Sequence, residues 1–189
     1  MNGHLFLGEQ VRLSSDDPLK KAEAFSRWRR DSEFSRLLDS GPASVWSVSK
    51  IKEWNEKYED KDPYSEYFFT IHTIEDDRMI GFIGLDGIRW NHGDCWVGIG
   101  LGERDYWGKG YGTDAMRIIL RYAFSELNLH RVSLNVFGYN PRAIHSYEKA
   151  GFKHEGSIRQ FLFREGRRWD LVHMGILKEE WEQNARRDG

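Results

Sequence analysis

Apolar positions alternate with polar ones at Val11 and Leu13, so residues 10 to 14 predict a first strand. Asp17 then caps, and Pro18 opens, a helix reaching about Arg29. Ser40, Gly41 and Pro42 break the chain before a second helix, about Ser49 to Tyr58. The run Glu59 to Glu66 is acidic, carries Pro63, and reads as a solvated loop. Tyr67 to Ile74 is aromatic and β-branched, a strand that Glu75, Asp76 and Asp77 turn back onto an antiparallel partner from Met79 to Leu85. Gly87 to Gly93 reads as a loop, and Trp96 to Leu101 as the next strand. Beyond a glycine-dense turn, Ala115, Ile119, Tyr122 and Ala123 share one helix face, with Asp114 in the first turn, where the macrodipole favours an acid. Arg131 to Phe137 alternates through Val132, Leu134 and Val136, a strand reached by a βαβ crossover. Asn140 and Pro141 open a short helix that Gly151 ends. Phe152 to Phe163 and Trp169 to Ile176 are two further strands, linked at Glu165 and Gly166. This order predicts a single mixed α/β domain over residues 1 to 189, without repeats or a dividing linker.

Composition narrows the function. Lys and Arg number 28 against 30 Asp and Glu, so no broad basic surface argues for nucleic acid. The single cysteine, Cys95, excludes an internal disulfide framework, suits a reducing compartment, and reads as a small buried hydrophobe. No signal peptide or membrane-length apolar run is visible, so a soluble, cytoplasmic protein with no membrane partner is expected. The seven histidines show no paired metal spacing, and no metal is implied. Some of the eight tryptophans are expected to line a pocket or a subunit contact.

The chemistry gathers at the turn before the long helix. Gly108, Gly110 and Gly112 leave backbone N–H groups unobstructed ahead of a helix N-terminus, an anion cradle suited to phosphate or pyrophosphate. A Walker A loop fails here, because Lys109 is followed by Gly110. The dinucleotide pattern is met by Gly110, Gly112 and Ala115, yet the next strand ends in Asn135 and Val136 with no ribose-binding acid.

The run Trp107, Gly108, Lys109, Gly110, Tyr111, Gly112 resembles the acetyl-CoA loop of the GNAT N-acetyltransferases, Arg/Gln-x-x-Gly-x-Gly/Ala, with Trp107 in place of the first residue. The longer string YWGKGYGTDAM is similar to the branch containing the ribosomal-protein N-terminal acetyltransferases. NPRAIHSYEKAGF, Asn140 to Phe152, resembles the family's second signature, and Asn140, Ile144 and Tyr147 share one face of its helix. His145 points about 160° from Tyr147 around that helix and stays outside the expected chemistry.

The resemblance covers about residues 95 to 177 and implies a mostly antiparallel central sheet flanked by helices, with a splayed parallel strand pair. It implies acetyl-CoA as cosubstrate and an amine acceptor as partner, with a homodimer left open. Expected cofactor contacts are the loop residues Trp107 to Gly112 with Thr113, backbone groups of Ile99 and Leu101, and Asn135, Asn140 and Arg142. Tyr147 is implied near the thioester sulfur, as acid or hydrogen-bond donor. Transfer also needs a neutral amine, and an alkyl amine with pKa ~10.4 is mostly protonated at neutral pH. Asp94 is the nearest carboxylate to the start of the central strand, Glu103 lies at its far end, and a water chain is the third candidate base. A peptide or protein α-amine is the expected acceptor. A polyamine or aminoglycoside is the alternative, and a non-catalytic acyl-CoA-binding protein is the reading of another class.

Overall fold

The computed structural model describes residues 4–59 and 65–187. Seven strands make one sheet: β1 (Val11–Ser14), β2 (Tyr67–Thr73), β3 (Met79–Arg89), β4 (Asp94–Leu101), β5 (Arg131–Phe137), β6 (Lys153–Arg164) and β7 (Arg167–Leu177). They run in the order β1-β2-β3-β4-β5-β7-β6. Every neighbouring pair is antiparallel except β4 with β5. That parallel pair is joined only from Asp94↔Arg131 to Trp96↔Ser133. From Val97 onward the two strands part, and a V-shaped gap opens in the sheet.

Strand alternation sorts side chains between two faces. Val97, Val132, Leu134, Val136, Met174 and Ile176 point to one face and are buried. Helix α4 (Tyr111–Arg121) covers them and runs on into a π turn, Tyr122–Glu126. Its Ala115, Met116, Ile118, Ile119 and Leu120 are at most 1% exposed, so this face is the main core. On the other face, α1 (Pro18–Trp28) lies over β2 and β3 through Phe25, and α3 (Val48–Glu59) packs on α1. There the Phe25 ring meets Phe82 at 4.8 Å.

Two helices escape the hydrophobic pattern. Ser32–Leu38 (α2) is only seven residues, started by Asp31, whose Oδ1 accepts the Glu33 N–H at 2.9 Å. Lys178–Arg187 (α6) is almost wholly polar and docks through one ring, Trp181 against Phe124 at 5.5 Å. The sequence also places the loop after β3 too early. A bulge between Asp86 and Arg89, with Gly87 at φ +57°, lets the strand continue to Arg89. Of the expected acidic loop, Glu59 closes α3, and residues 60 to 64 lie outside the described residues.

Asp114 has a larger role than favouring the helix dipole. It is 7% exposed, and its carboxylate accepts the backbone N–H groups of Glu9 (3.2 Å), Gln10 (2.8 Å) and Val11 (3.0 Å). One buried acid thereby ties the start of β1 to the first turn of α4.

Candidate active site

The gap between β4 and β5 opens into a cavity of about 640 Å³. Beyond Trp96 the facing edges of these strands have no strand partner, so alternate N–H and C=O groups of Val97 to Leu101 face the opening. Backbone groups left without partners in a closed space call for a ligand that can replace a strand. The helix α5 (Pro141–Lys149) forms the wall across from β4.

At one end lies the glycine turn. Gly108 (φ +73°) and Gly110 (φ +96°) adopt left-handed conformations that other residues strain to reach, and Gly110 is the N-cap of α4. Gly108, Gly110, Gly112 and Thr113 all line the cavity at this helix N-terminus. The Thr113 hydroxyl is 2.8 Å from that of Ser146, joining α4 to α5 across the wall. Lys109 is exposed, and Tyr111 packs on Tyr106 at 5.1 Å; neither side chain reaches the cavity. Trp107 lines it, and its indole N–H donates to the Leu101 carbonyl at 2.7 Å, closing the end of β4.

Asn140 works as a helix cap, its Oδ1 accepting the Ala143 N–H at 3.2 Å. It also lines the cavity, and its amide N–H₂ has no protein partner among the described residues. Arg142, Asn135, Ile99 and Leu101 join it in the lining. Tyr147 lines the same wall, and burial pushes its phenol up to about 12. No described residue hydrogen-bonds its hydroxyl.

The two carboxylates considered as bases are not brought to the cavity. Asp94 sits at the closed end of the V, ion-paired with Arg89, which holds its carboxyl below the usual range. Burial alone would raise the Glu103 carboxyl, but hydrogen bonds from Trp28 (2.8 Å) and Arg27 (2.6 Å), with Arg78 at 2.8 Å, hold it low. Cys95 is 2% exposed, and burial with nearby Asp86 and Asp94 pushes its thiol up to about 12, an inert core group.

Sequence reasoning missed several lining residues. Glu9 and Gln10 arrive through the Asp114 contact, a pairing across 104 positions that no local pattern reveals. Arg117 lies one helical turn beyond Thr113, a spacing the sequence does carry. His145, set aside on angular grounds, nonetheless lines the cavity, exposed and 3.7 Å from Glu148. Helix α2, held beside the end of β4 by the ion pairs of Arg104 with Asp31 and Glu33, contributes Phe34, Leu37 and Leu38, followed by Asp39.

The model of the GNAT acetyltransferase domain matches residues 12–153. The chain belongs to the GNAT acetyltransferase family. This acetyltransferase is 38% identical over 135 residues to a probable N-acetyltransferase of Bacillus subtilis (strain 168), covering 71% of this chain and 72% of that protein. It is 33% identical to a spermidine N(1)-acetyltransferase of Vibrio cholerae, covering 68% of this chain and 79% of the relative. The fold of the acetyltransferase is also that of the Vibrio cholerae spermidine N-acetyltransferase crystallised with CoA and spermine, with a TM-score of 0.80 at 24% identity. That match covers 92% of this chain and 98% of the other. Among the described residues no helix is long and apolar enough to cross a membrane, and no cluster of metal-ligating side chains occurs.

Proposed function

We propose that this enzyme moves the acetyl group of acetyl-CoA to a primary amine by direct attack in a ternary complex. The observation that carries the proposal is the half-open β4–β5 pair, with the glycine turn at one end of the cavity and Tyr147 in its wall. Gly108, Gly110 and Gly112 suit the pyrophosphate, and the free edge of β4 suits the amides of the pantetheine arm. The Asn140 amide has donors to spare for the same arm.

As the amine attacks, charge builds on the thioester oxygen and then on the sulfur. Backbone N–H groups of β4 stabilise the first, and the Tyr147 hydroxyl the second. With its pKa pushed to about 12, Tyr147 keeps its proton at neutral pH and acts as a hydrogen-bond donor to sulfur. A preorganised donor of this kind is worth ~2–4 kcal/mol in the transition state.

The cavity wall built by α2 and the β6–β7 hairpin supports an ammonium carried on an apolar stem. Phe34, Leu38, Phe161 and Leu171 line it, and Asp39 is the carboxylate there. One acid among apolar walls suits a peptide α-amine better than a polyamine, whose several charges call for several acids. The second reading, a polyamine, draws on the Vibrio relative named for spermidine. The test is thiol release from acetyl-CoA with a short free-N-terminus peptide and with spermidine in competition. A higher kcat/KM for spermidine overturns the α-amine reading. Acetyl-CoA binding without thiol release for any amine overturns catalysis itself.

A further inference from the structure

The middle of the second sheet face holds an imidazole that the steps above do not use. The registers Trp96↔Ser133 and Asn135↔His173 place Trp96, Gly98, Asn135 and His173 on one side of the sheet. Core residues Val97, Val136 and Val172 point the other way. Asn135 and His173 are directly opposed, so their Cβ atoms stand about 4.5–5.5 Å apart. Gly98, Asn135 and Phe161 line the cavity, which puts His173 one strand away from its opening.

The face is unobstructed on both sides of the Asn135–His173 pair. On β6 the residue opposite His173 is Gly156, and a Cβ at Gly98 or at Gly156 would meet nothing within 4 Å. The sheet face is thus low on either side of Asn135 and His173, and the half-buried His173 ring stands next to the exposed Asn135 at the edge of the gap. Trp96 stands beside it, ring centre 6.2 Å from the imidazole and tilted 68°. No hydrogen-bonding group among the described residues meets either ring nitrogen. Asp86, the β3 partner of Trp96, faces the same side beyond that indole. Arg131 is engaged by Glu155 and Ser133, and Asp94 by Arg89.

We propose that His173 is the general base that frees the acceptor amine for attack, a role that rests on the acetyltransferase reading of the adjoining cavity. Imidazole is the side chain whose charge changes near neutrality, which suits it to take a proton from an ammonium and return it to water. One ammonium proton passes to a ring nitrogen of His173, and the nitrogen lone pair forms the C–N bond at the acetyl carbonyl. The tetrahedral intermediate then breaks its C–S bond. The sulfur keeps the electron pair, held by the Tyr147 hydroxyl's hydrogen bond, and takes up the second amine proton. The products are the N-acetylated acceptor and free CoA thiol, and the imidazolium releases its proton to solvent.

The experiment uses the full chain, acetyl-CoA, and a free-N-terminus peptide or spermidine, whichever the wild type turns over faster. Thiol release is followed from about pH 6 to about pH 9 for the wild type, His173→Gln and His173→Ala. Wild-type kcat/KM is expected to climb with pH along a limb that His173→Gln lacks. At neutral pH kcat should fall roughly 10²-fold or more, with acetyl-CoA affinity within about twofold. Added free imidazole should restore part of the His173→Ala rate. A His173→Gln enzyme with wild-type kcat and the same limb overturns the proposal. So does a loss of acetyl-CoA affinity that matches the loss of rate, which marks a structural role. A wild type that binds acetyl-CoA but releases no thiol with either amine sinks the enzymatic reading first, and His173 with it.

Discussion

The Arg142 guanidinium lies over the Trp107 ring, 4.1 Å from its centre, with Arg104 at 5.1 Å. Trp107 occupies the loop position where the family pattern carries Arg or Gln. The indole has no charge to offer a phosphate, and its one N–H is taken by the Leu101 carbonyl. It instead holds a cation from α5 at the cavity wall, and the Nε1–H bond to Leu101 fixes the ring.

Trp107→Leu should therefore weaken acetyl-CoA binding by about 1 kcal/mol, roughly fivefold, through the lost cation–π contact. Trp107→Phe, which keeps an aromatic face, should lose less. Calorimetry on both single variants and on Trp107→Leu with Arg142→Ala checks the pairing. Strict additivity of the two losses would show that the residues act separately.

At Gly112 a Cβ would meet only ordinary contacts, Leu101 at 3.5 Å and Ser146 at 3.9 Å. Gly112→Ala should thus be tolerated, while Gly112→Asp sets a negative charge in the anion cradle. The second variant should bind acetyl-CoA at least about tenfold more weakly, on the order of 1.4 kcal/mol. Equal affinities for the two variants would remove the pyrophosphate from this turn.

Tyr147→Phe deletes one hydroxyl and keeps the ring. We expect kcat to fall roughly 10²-fold while acetyl-CoA affinity hardly moves, since the contact to sulfur gains strength only as the thiolate leaves. The raised pKa, about 12, means the phenol stays protonated through neutral pH. Its removal should lower the rate–pH profile below about pH 10 without changing its shape. Near wild-type turnover would return Tyr147 to a packing role.

Asp114→Asn would turn a donor toward backbone N–H groups that now meet the carboxylate. With two of the three N–H bonds on Oδ2, the variant should lose on the order of 3 kcal/mol of stability. Because Gln10 rides on this contact into the cavity lining, acetyl-CoA affinity should drop as well. Urea midpoints and binding measured together check the coupling, and a stability loss with unchanged affinity would dismiss the link to the cavity.

Acid sensitivity should trace in part to Asp16. Burial alone would raise its carboxyl, but hydrogen bonds from Thr70 and His72 outweigh that and hold it below the usual range. His72 is 6% exposed, with Nε2 2.6 Å from Asp16 and Nδ1 3.0 Å from the Asp77 carbonyl. A depressed folded pKa contributes stability above the unfolded value, lost as pH falls through the folded one. Asp16→Asn should therefore lose less stability than the wild type between about pH 5 and about pH 2. Parallel acid titrations of the two urea midpoints provide the comparison.

Local order in this chain was legible where short-range chemistry is decisive. Gly110 as the turn before α4, Asn140 with Pro141 at the start of α5, and the alternation of Val132, Leu134 and Val136 need only neighbours within a few positions. Helix α6 was hidden because Lys178–Arg187 holds so little apolar surface, and it is Phe124 that gives Trp181 somewhere to dock. Cavity-lining positions that sit in motifs, such as Gly108, Asn140 and Tyr147, were indicated by the family that those motifs resemble. Those carried by contact were not. Asp94 looked available until β3 brought Arg89 beside it, and Glu103 until α1 brought Arg27 and Trp28. His173 says nothing in its own neighbourhood. Only the register Asn135↔His173 and the parting of β4 from β5 after Trp96 set it beside the opening. Backbone propensity acts over a few residues and is written in order along the chain. Arg89 is only five residues from Asp94, but the β3–β4 register is what lays it alongside. The neutralising of Glu103 and the placing of His173 depend on distances between elements far apart in sequence, and folding alone sets those.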